Sequence, residues 1–415
     1  MNKNRRIVIT GMGLVSPLGM NVEAFWENAM RGQSAIQTLS RFDSRDFKYQ
    51  FAAQMTEFNV DNYLPRRLSK KLDRFTQYAL IASEQAIKDS HLNLDTVDKN
   101  RIGIYVGNMF GGWEFTDREL RNLYVEGAEL INPYLATAWF PAAPQGEISI
   151  LHGIKGHSKT IDSGRSSGLT SIGYAAEAIR AGRLDYAIAG GTEAMVTPFM
   201  MAACSVASLM SEDHYLSPDG NYQPFGSKRN GWVPGEGSAF VMLETLESAL
   251  ARNAVIYAEL QGFGHTTEAC NPNQLMQDGS GLDRAISLAM NQSRIHFSDI
   301  DLVLADGAGT HQADLQEAKT IHHYFSGHSN CYVTAPKSLY GDTFGANGAF
   351  DIIISALSIK NQHILPTMIV DGIDESCPIK LVSNQAIESE INHVLINNRG
   401  YGGIGTALIA SKYSN

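Results

Sequence analysis

An α/β fold is predicted by three features of the 415-residue chain. Short β-rich runs lead into glycine loops at several places, helical stripes lie between them, and 38 glycines supply the tight turns and close backbone approaches of a layered architecture. Hydrophobic residues make up 44% and charged residues 18%, the balance of a packed globular protein.

Taken in order, Arg6–Thr10 (RIVIT) reads as a buried strand entering a turn at Gly11-Met12-Gly13. Ser16 stands where a dinucleotide fingerprint needs its third glycine, so no nucleotide loop is expected. Asn21 to Met30 reads as a helix, with Asn21 as N-cap and Gly32 beyond its end. Arg74 to Ser90 is a longer helix carrying Phe75, Tyr78, Ala79, Ala82 and Ala86 on one stripe. Arg101–Val106 (RIGIYV) is a second buried strand running into Gly107-Asn108, and His393–Ile396 followed by NNRGYGG repeats the strand-then-glycine shape. That repetition hints at internal duplication. No Pro/Gly/Ser-rich linker interrupts the middle, so the expectation is two packed halves, 1–250 and 251–415.

Several function classes are disfavoured. A formal charge of -10 argues against nucleic-acid binding, which needs a basic face. Cys204, Cys270, Cys331 and Cys377 show no zinc-ligand spacing and read as buried thiols in a reducing cytoplasm. Of His311, His322, His323 and His328, only His322 and His323 are close in sequence, and they point apart on a helix, so no metal is expected. The uncharged run Ala194–Ser211 contains Pro198, falls short of the about 20 apolar residues of a membrane span, and reads as a buried helix. One basic patch, PRRLSKKLDR at 65–74, is either a solvated helix face or a docking site for an acidic partner.

The segment TIDSGRSSGLTSIG, 160–173, resembles the nucleophile turn of the β-ketoacyl synthases, with Arg165 where that family has its cysteine. LVLADGAGTHQADLQEA, 302–318, is similar to the loop supplying one catalytic histidine, and Asp306 stands at that position. PKSLYGDTFGANGAF, 336–350, is similar to the loop supplying the other; Asp342 replaces it while Lys337 remains. FGGWEFTDRELRNL at 110–123 and AWFPAAPQGEISILHG at 138–153 resemble the chain-length factors of type II polyketide synthases, the degenerate partners of active ketosynthases. That family usually carries glutamine where this chain has Arg165. The likeness runs from about Ile7 to Ile409.

The resemblance implies a thiolase-like fold, two related βαβαβ-type halves in five α-β-α-β-α layers. It also implies a subunit without its own catalytic residues, needing no cofactor, paired with an active ketosynthase and meeting acyl carrier protein. Condensation needs a thiolate and two imidazoles, and a guanidinium with two carboxylates cannot replace them. Arg165, Asp306 and Asp342 are expected instead to form an ion-pair network filling the vacated site. Trp113, Thr116 and Leu120 fall on one helix face; the resemblance places them at the end of a polyketide tunnel, with Phe199 and Met200 as further candidates, and ordinary core packing is the alternative.

Other readings stay open. A degenerate partner in an aryl-polyene-type synthase shares the fold, and an acyl-binding scaffold is the non-enzymatic option. Gly164-Arg165-Ser166-Ser167-Gly168 also fits GxSxG, which would make Ser166 a hydrolase nucleophile with Asp314 and His322 as partners.

Overall fold

The computed structural model describes residues 5–206, 210–211, 218–269, 279–328 and 330–414. Among them, ten strands form one continuous sheet: β1 (Ile7–Val15), β2 (Ile102–Gly107), β3 (Lys159–Ile161), β4 (Tyr186–Glu193), β5 (Gly237–Thr245), β6 (Ala258–Thr267), β7 (Leu302–Leu304), β8 (Tyr332–Thr334), β9 (His393–Gly400) and β10 (Ile404–Ser411). The order is β8-β7-β9-β10-β6-β1-β5-β4-β2-β3. It is the same arrangement twice. In β3-β2-β4-β5-β1 the first three strands are parallel and the rest antiparallel, and β8-β7-β9-β10-β6 repeats this strand for strand. The two arrays meet only where Ile7, Val8 and Ile9 of β1 pair with Leu260, Glu259 and Ala258 of β6.

Helices form three of five layers, and the two strand arrays form the other two. On the outer face of the first array lie α3 (Arg74–Asp89) and α5 (Ala143–His152). Between the arrays α6 (Ser167–Arg180) packs against α10 (Asn347–Asn361), both almost wholly buried because each meets a sheet on one side and its partner on the other. Outside the second array lie α8 (Ser280–Gln292) and α9 (His311–Phe325).

Four further helices matter locally. In α1 (Val22–Met30) Asn21 caps as expected, its Oδ1 accepting from Ala24 N at 2.8 Å. The expected stripe of α3 is buried, and Asp73 caps it. Short α2 (Arg66–Ser69) carries Arg66 and Arg67 of the basic patch, whose Lys70 and Lys71 follow it and whose Arg74 opens α3; α4 (Trp113–Val125) carries the candidate tunnel face, and α7 (Pro198–Val206) follows β4.

Three expectations need correction. Gly11 and Gly13 do not turn the chain; β1 continues through them to Val15. A Cβ on Gly11 would stand 2.2 Å from Ala86 O and one on Gly13 2.0 Å from Ala82 O, so these glycines let α3 lie directly on the strand. Gly262 and Gly264 of β6 do the same for α8, at 2.0 Å from Ala289 O and Ala285 O. Likewise β9 runs to Gly400, through residues read as loop, because β10 pairs with it along its whole length. Finally, within 194–211 only Pro198–Val206 is helical, since Ala194–Thr197 leaves the strand first; Phe199 (45% exposed) and Val206 (83%) face outward, and 207–209 lie outside the described residues. Cys270 lies outside them too; Cys204, Cys331 and Cys377 are buried free thiols. No helix among the described residues is long and apolar enough to cross a membrane.

Candidate functional site

The three anomalous residues come from loops at the carboxyl ends of strands: Arg165 after β3, Asp306 after β7, Asp342 between β8 and α10. Open α/β sheets form their clefts at such ends. Here the cleft is closed by charge. Arg165 Nη1 donates to Asp306 Oδ2 at 3.1 Å, and Nη2 lies 2.6 Å from Asp342 Oδ2. Arg165 is 8% exposed and both aspartates are buried. Burial alone would favour neutral guanidine, but the two carboxylates outweigh it and hold Arg165 well above its usual range. Asp306 is shifted down: burial pushes it up, while Arg165, Arg399 and Lys337 more than offset that.

Each partner is fixed in turn. Asp342 Oδ1 accepts from Phe344 N (2.9 Å) and Asn347 Nδ2 (2.7 Å). The amides of Asp306 and Gly307 donate to Glu317 at 2.8 and 2.9 Å, and Tyr222 OH donates to Gly307 O at 2.9 Å. Lys337 makes no ion-pair contact with these aspartates and instead donates to Asp351 Oδ2 (3.0 Å) and Ala305 O (3.1 Å).

Arg399 was missed by sequence reasoning. Its backbone N donates to Asp306 Oδ1 at 3.3 Å, its Nε lies 3.8 Å from Asp306 Oδ2, and Nη2 donates to Ala313 O at 2.6 Å. With it two guanidiniums meet the two aspartates, and Arg399 Nη2 also stands 3.9 Å from buried Glu317 Oε2. The available signal was an arginine three residues beyond the buried run His393–Ile396, a residue that needs a partner when interior.

Among the described residues no activated nucleophile stands at this centre. Cys204, which feels the charges of Asp342 and Glu193, has its thiol pushed up to about 12, chiefly by burial, so it carries no thiolate. The GxSxG reading is overturned. Ser166 is fully buried, its Oγ donates to Ser163 O (2.8 Å), Asp314 is occupied by the amides of Phe225 and Gly309, and exposed His322 bonds Pro378 O. Among the described residues no three His, Cys, Asp or Glu side chains are grouped as a metal site.

The tunnel candidates divide. Trp113 stacks on Phe199 with ring centroids 4.4 Å apart and 15° between planes, and it packs against the cluster holding Met200, Phe344 and Trp232. Phe344 is the residue whose amide caps Asp342, so this apolar cluster adjoins the ion pairs. Thr116 and Leu120 continue along the half-buried side of α4, with Thr116 Oγ1 donating to Gly112 O at 2.6 Å.

The chain matches the model of the β-ketoacyl synthase N-terminal domain over residues 4–249 and that of the C-terminal domain over 257–371. It belongs to the β-ketoacyl synthase family. It is 34% identical over 414 residues to 3-oxoacyl-[acyl-carrier-protein] synthase 2 of Staphylococcus aureus, covering the whole of both chains. It is also 34% identical over 408 residues to the tetracenomycin polyketide synthase ketoacyl synthase beta subunit of Streptomyces glaucescens, covering 98% of each. Among solved structures, the ishigamide ketosynthase/chain length factor superposes with a TM-score of 0.91 at 29% identity, over 99% of this chain and 100% of that one. A type II polyketide acyl-carrier protein in complex with its ketosynthase bound to the hexaketide gives 0.91 at 25% identity, over 99% and 100%. The five-layered fold is thus the thiolase-like ketosynthase fold, and type II polyketide ketosynthases are among its structural relatives.

Proposed function

We propose that this chain is a non-condensing chain-length factor that pairs with an active ketosynthase in type II polyketide biosynthesis. The observation that carries the reading is the Arg165 bridge to Asp306 and Asp342, in the loops where the family holds its cysteine and two histidines. An acyl thioester has no atom to form on there, and carboxylates beside a developing oxyanion would raise the barrier to condensation.

The partner ketosynthase supplies the thiol and imidazoles, and Trp113, Phe199 and Met200 form the end wall of the tunnel, with Thr116 and Leu120 along its side. Residues 1–250 and 251–415 act as the two related halves, in the cytoplasm. Exposed Arg66, Arg67 and Lys70 give acidic carrier protein a local attraction despite the chain's net negative charge. Intact-protein mass spectrometry after incubation with malonyl- or acetyl-carrier protein tests the reading. No mass increase is expected; a covalent acyl adduct on this chain overturns it.

A further inference from the structure

Helix α4 starts without a capping side chain of its own, because Gly112 occupies the cap position. The free N–H groups of a helix start need acceptors from elsewhere. They come from the start of α3. Asp73 is 1% exposed and divides its oxygens between two helices. Its Oδ1 accepts from Phe75 N at 3.1 Å, capping α3, and its Oδ2 accepts from Phe115 N at 2.7 Å in the first turn of α4.

The next residue holds the same turn by charge. Arg74 forks onto Glu114 through Nε and Nη2, the latter at 2.9 Å. Arg41 Nη1 stands 4.0 Å from Glu114, and the same guanidinium forks onto buried Glu236, which also accepts from Met55 N at 2.7 Å. The approach is tight: a Cβ on Gly112 would sit 2.8 Å from Asp73 Cβ and 2.2 Å from Ala138 O. Trp113 is therefore followed at once by a side chain paired to Arg74 and then an amide held by Asp73.

We propose that Asp73 and Arg74 are positioning residues for the tunnel's end wall, fixing where the Trp113 indole stands against Phe199 and Met200. They act on chain length through α4 and touch no substrate. The inference rests on the tunnel reading of Trp113 given above.

The test uses the heterodimer with an active ketosynthase, supplied with malonyl-carrier protein, and reads product masses. Arg74→Met and Glu114→Gln each break the pair, whereas Arg74→Lys keeps the charge. The ratio of longer to shorter products should change severalfold in the first two, return most of the way in Arg74→Lys, and show no further change when Arg74→Met is added to Trp113→Ala. A merely structural role would lower total product without moving the ratio.

An unchanged ratio in Arg74→Met and Glu114→Gln, beside a Trp113→Ala that does move it, overturns the clamp and leaves the tunnel reading standing. If Trp113→Ala leaves the ratio unmoved, the tunnel reading falls and takes the clamp with it. Hydrogen exchange at residues 113–116 gives a second measurement. Faster exchange in Glu114→Gln, half-exposed and thus the milder change, supports the clamp; unaltered exchange overturns it.

Discussion

Replacing Arg165 with glutamine, the residue common at this position in chain-length factors, should destabilise this chain rather than convert it. The substitution leaves Asp306 and Asp342 buried; among the described residues the first keeps only Arg399 in ion-pair contact, with Lys337 acting from further off, and the second keeps no cation in ion-pair contact. Removing one partner of a buried ion pair costs about 3–5 kcal/mol, because a desolvated charge remains. With 415 residues at about 2.1 cal/mol/K each, the unfolding entropy is roughly 0.9 kcal/mol/K. The melting temperature should therefore fall by about 3–6 °C. Scanning calorimetry reads this directly. The pH dependence gives an independent check. Asp306 is held below its usual range, so its stabilisation is present above the unfolded carboxylate pKa and lost as pH falls through the folded one; Arg165→Gln should flatten that acid limb. The triple variant Arg165→Gln/Asp306→Asn/Asp342→Asn removes all three charges and should recover most of the loss. A melting point unchanged in Arg165→Gln, or a triple variant less stable than the single one, would refute the argument that Arg165 is what offsets the two buried aspartates.

Other outcomes follow from the same geometry. Trp113→Ala opens the end wall, and products should lengthen by mass spectrometry; because the indole is only partly buried, the stability cost should stay below the about 3–5 kcal/mol of a full core truncation. Glu193, whose pKa burial pushes up to about 8 against the pull of three backbone amides, binds its proton more tightly folded than unfolded. Its stabilisation is fully present below the ordinary glutamate pKa and is lost as pH rises toward 8, at up to about 1.4 kcal/mol per pH unit; Glu193→Gln should remove that slope in melts taken from pH 5 to 8. Charge reversal at Arg66, Arg67 and Lys70 together should weaken carrier-protein binding in a salt-dependent titration, and equal affinity at low and high salt would remove the patch from the interface.

What the sequence made legible was local or periodic. Asn21 was readable as a cap because its partner amide is three residues away, and the stripe of α3 because burial imposes the helical period. The resemblance added Arg165, Asp306 and Asp342, and the structure brings all three into one ion-pair cluster. What stayed hidden depends on contacts between distant segments. Gly11 and Gly13 were read as a turn because glycine after a strand serves equally for a bend or for a helix lying against it, and only α3 distinguishes the two. Arg399 sat in a segment read as loop until β10 was seen to pair along it. The double cap by Asp73 joins residues 42 positions apart, and nothing near Asp73 in sequence announces the second helix.

The glycine pairs of β1 and β6 bear on how far such a sequence can drift. Side chains of the Arg165 cluster can be exchanged without moving the backbone, provided any new charge finds a partner. The chain has no comparable freedom at Gly11, Gly13, Gly262 and Gly264. Even a single methyl group at any of them would meet a helix carbonyl at 2.0–2.2 Å, and the whole helix would have to lift from its strand. In this chain the separation between each of these strands and its helix is a dimension set by the missing side chains, and nothing else in the sheet can compensate for a change in it.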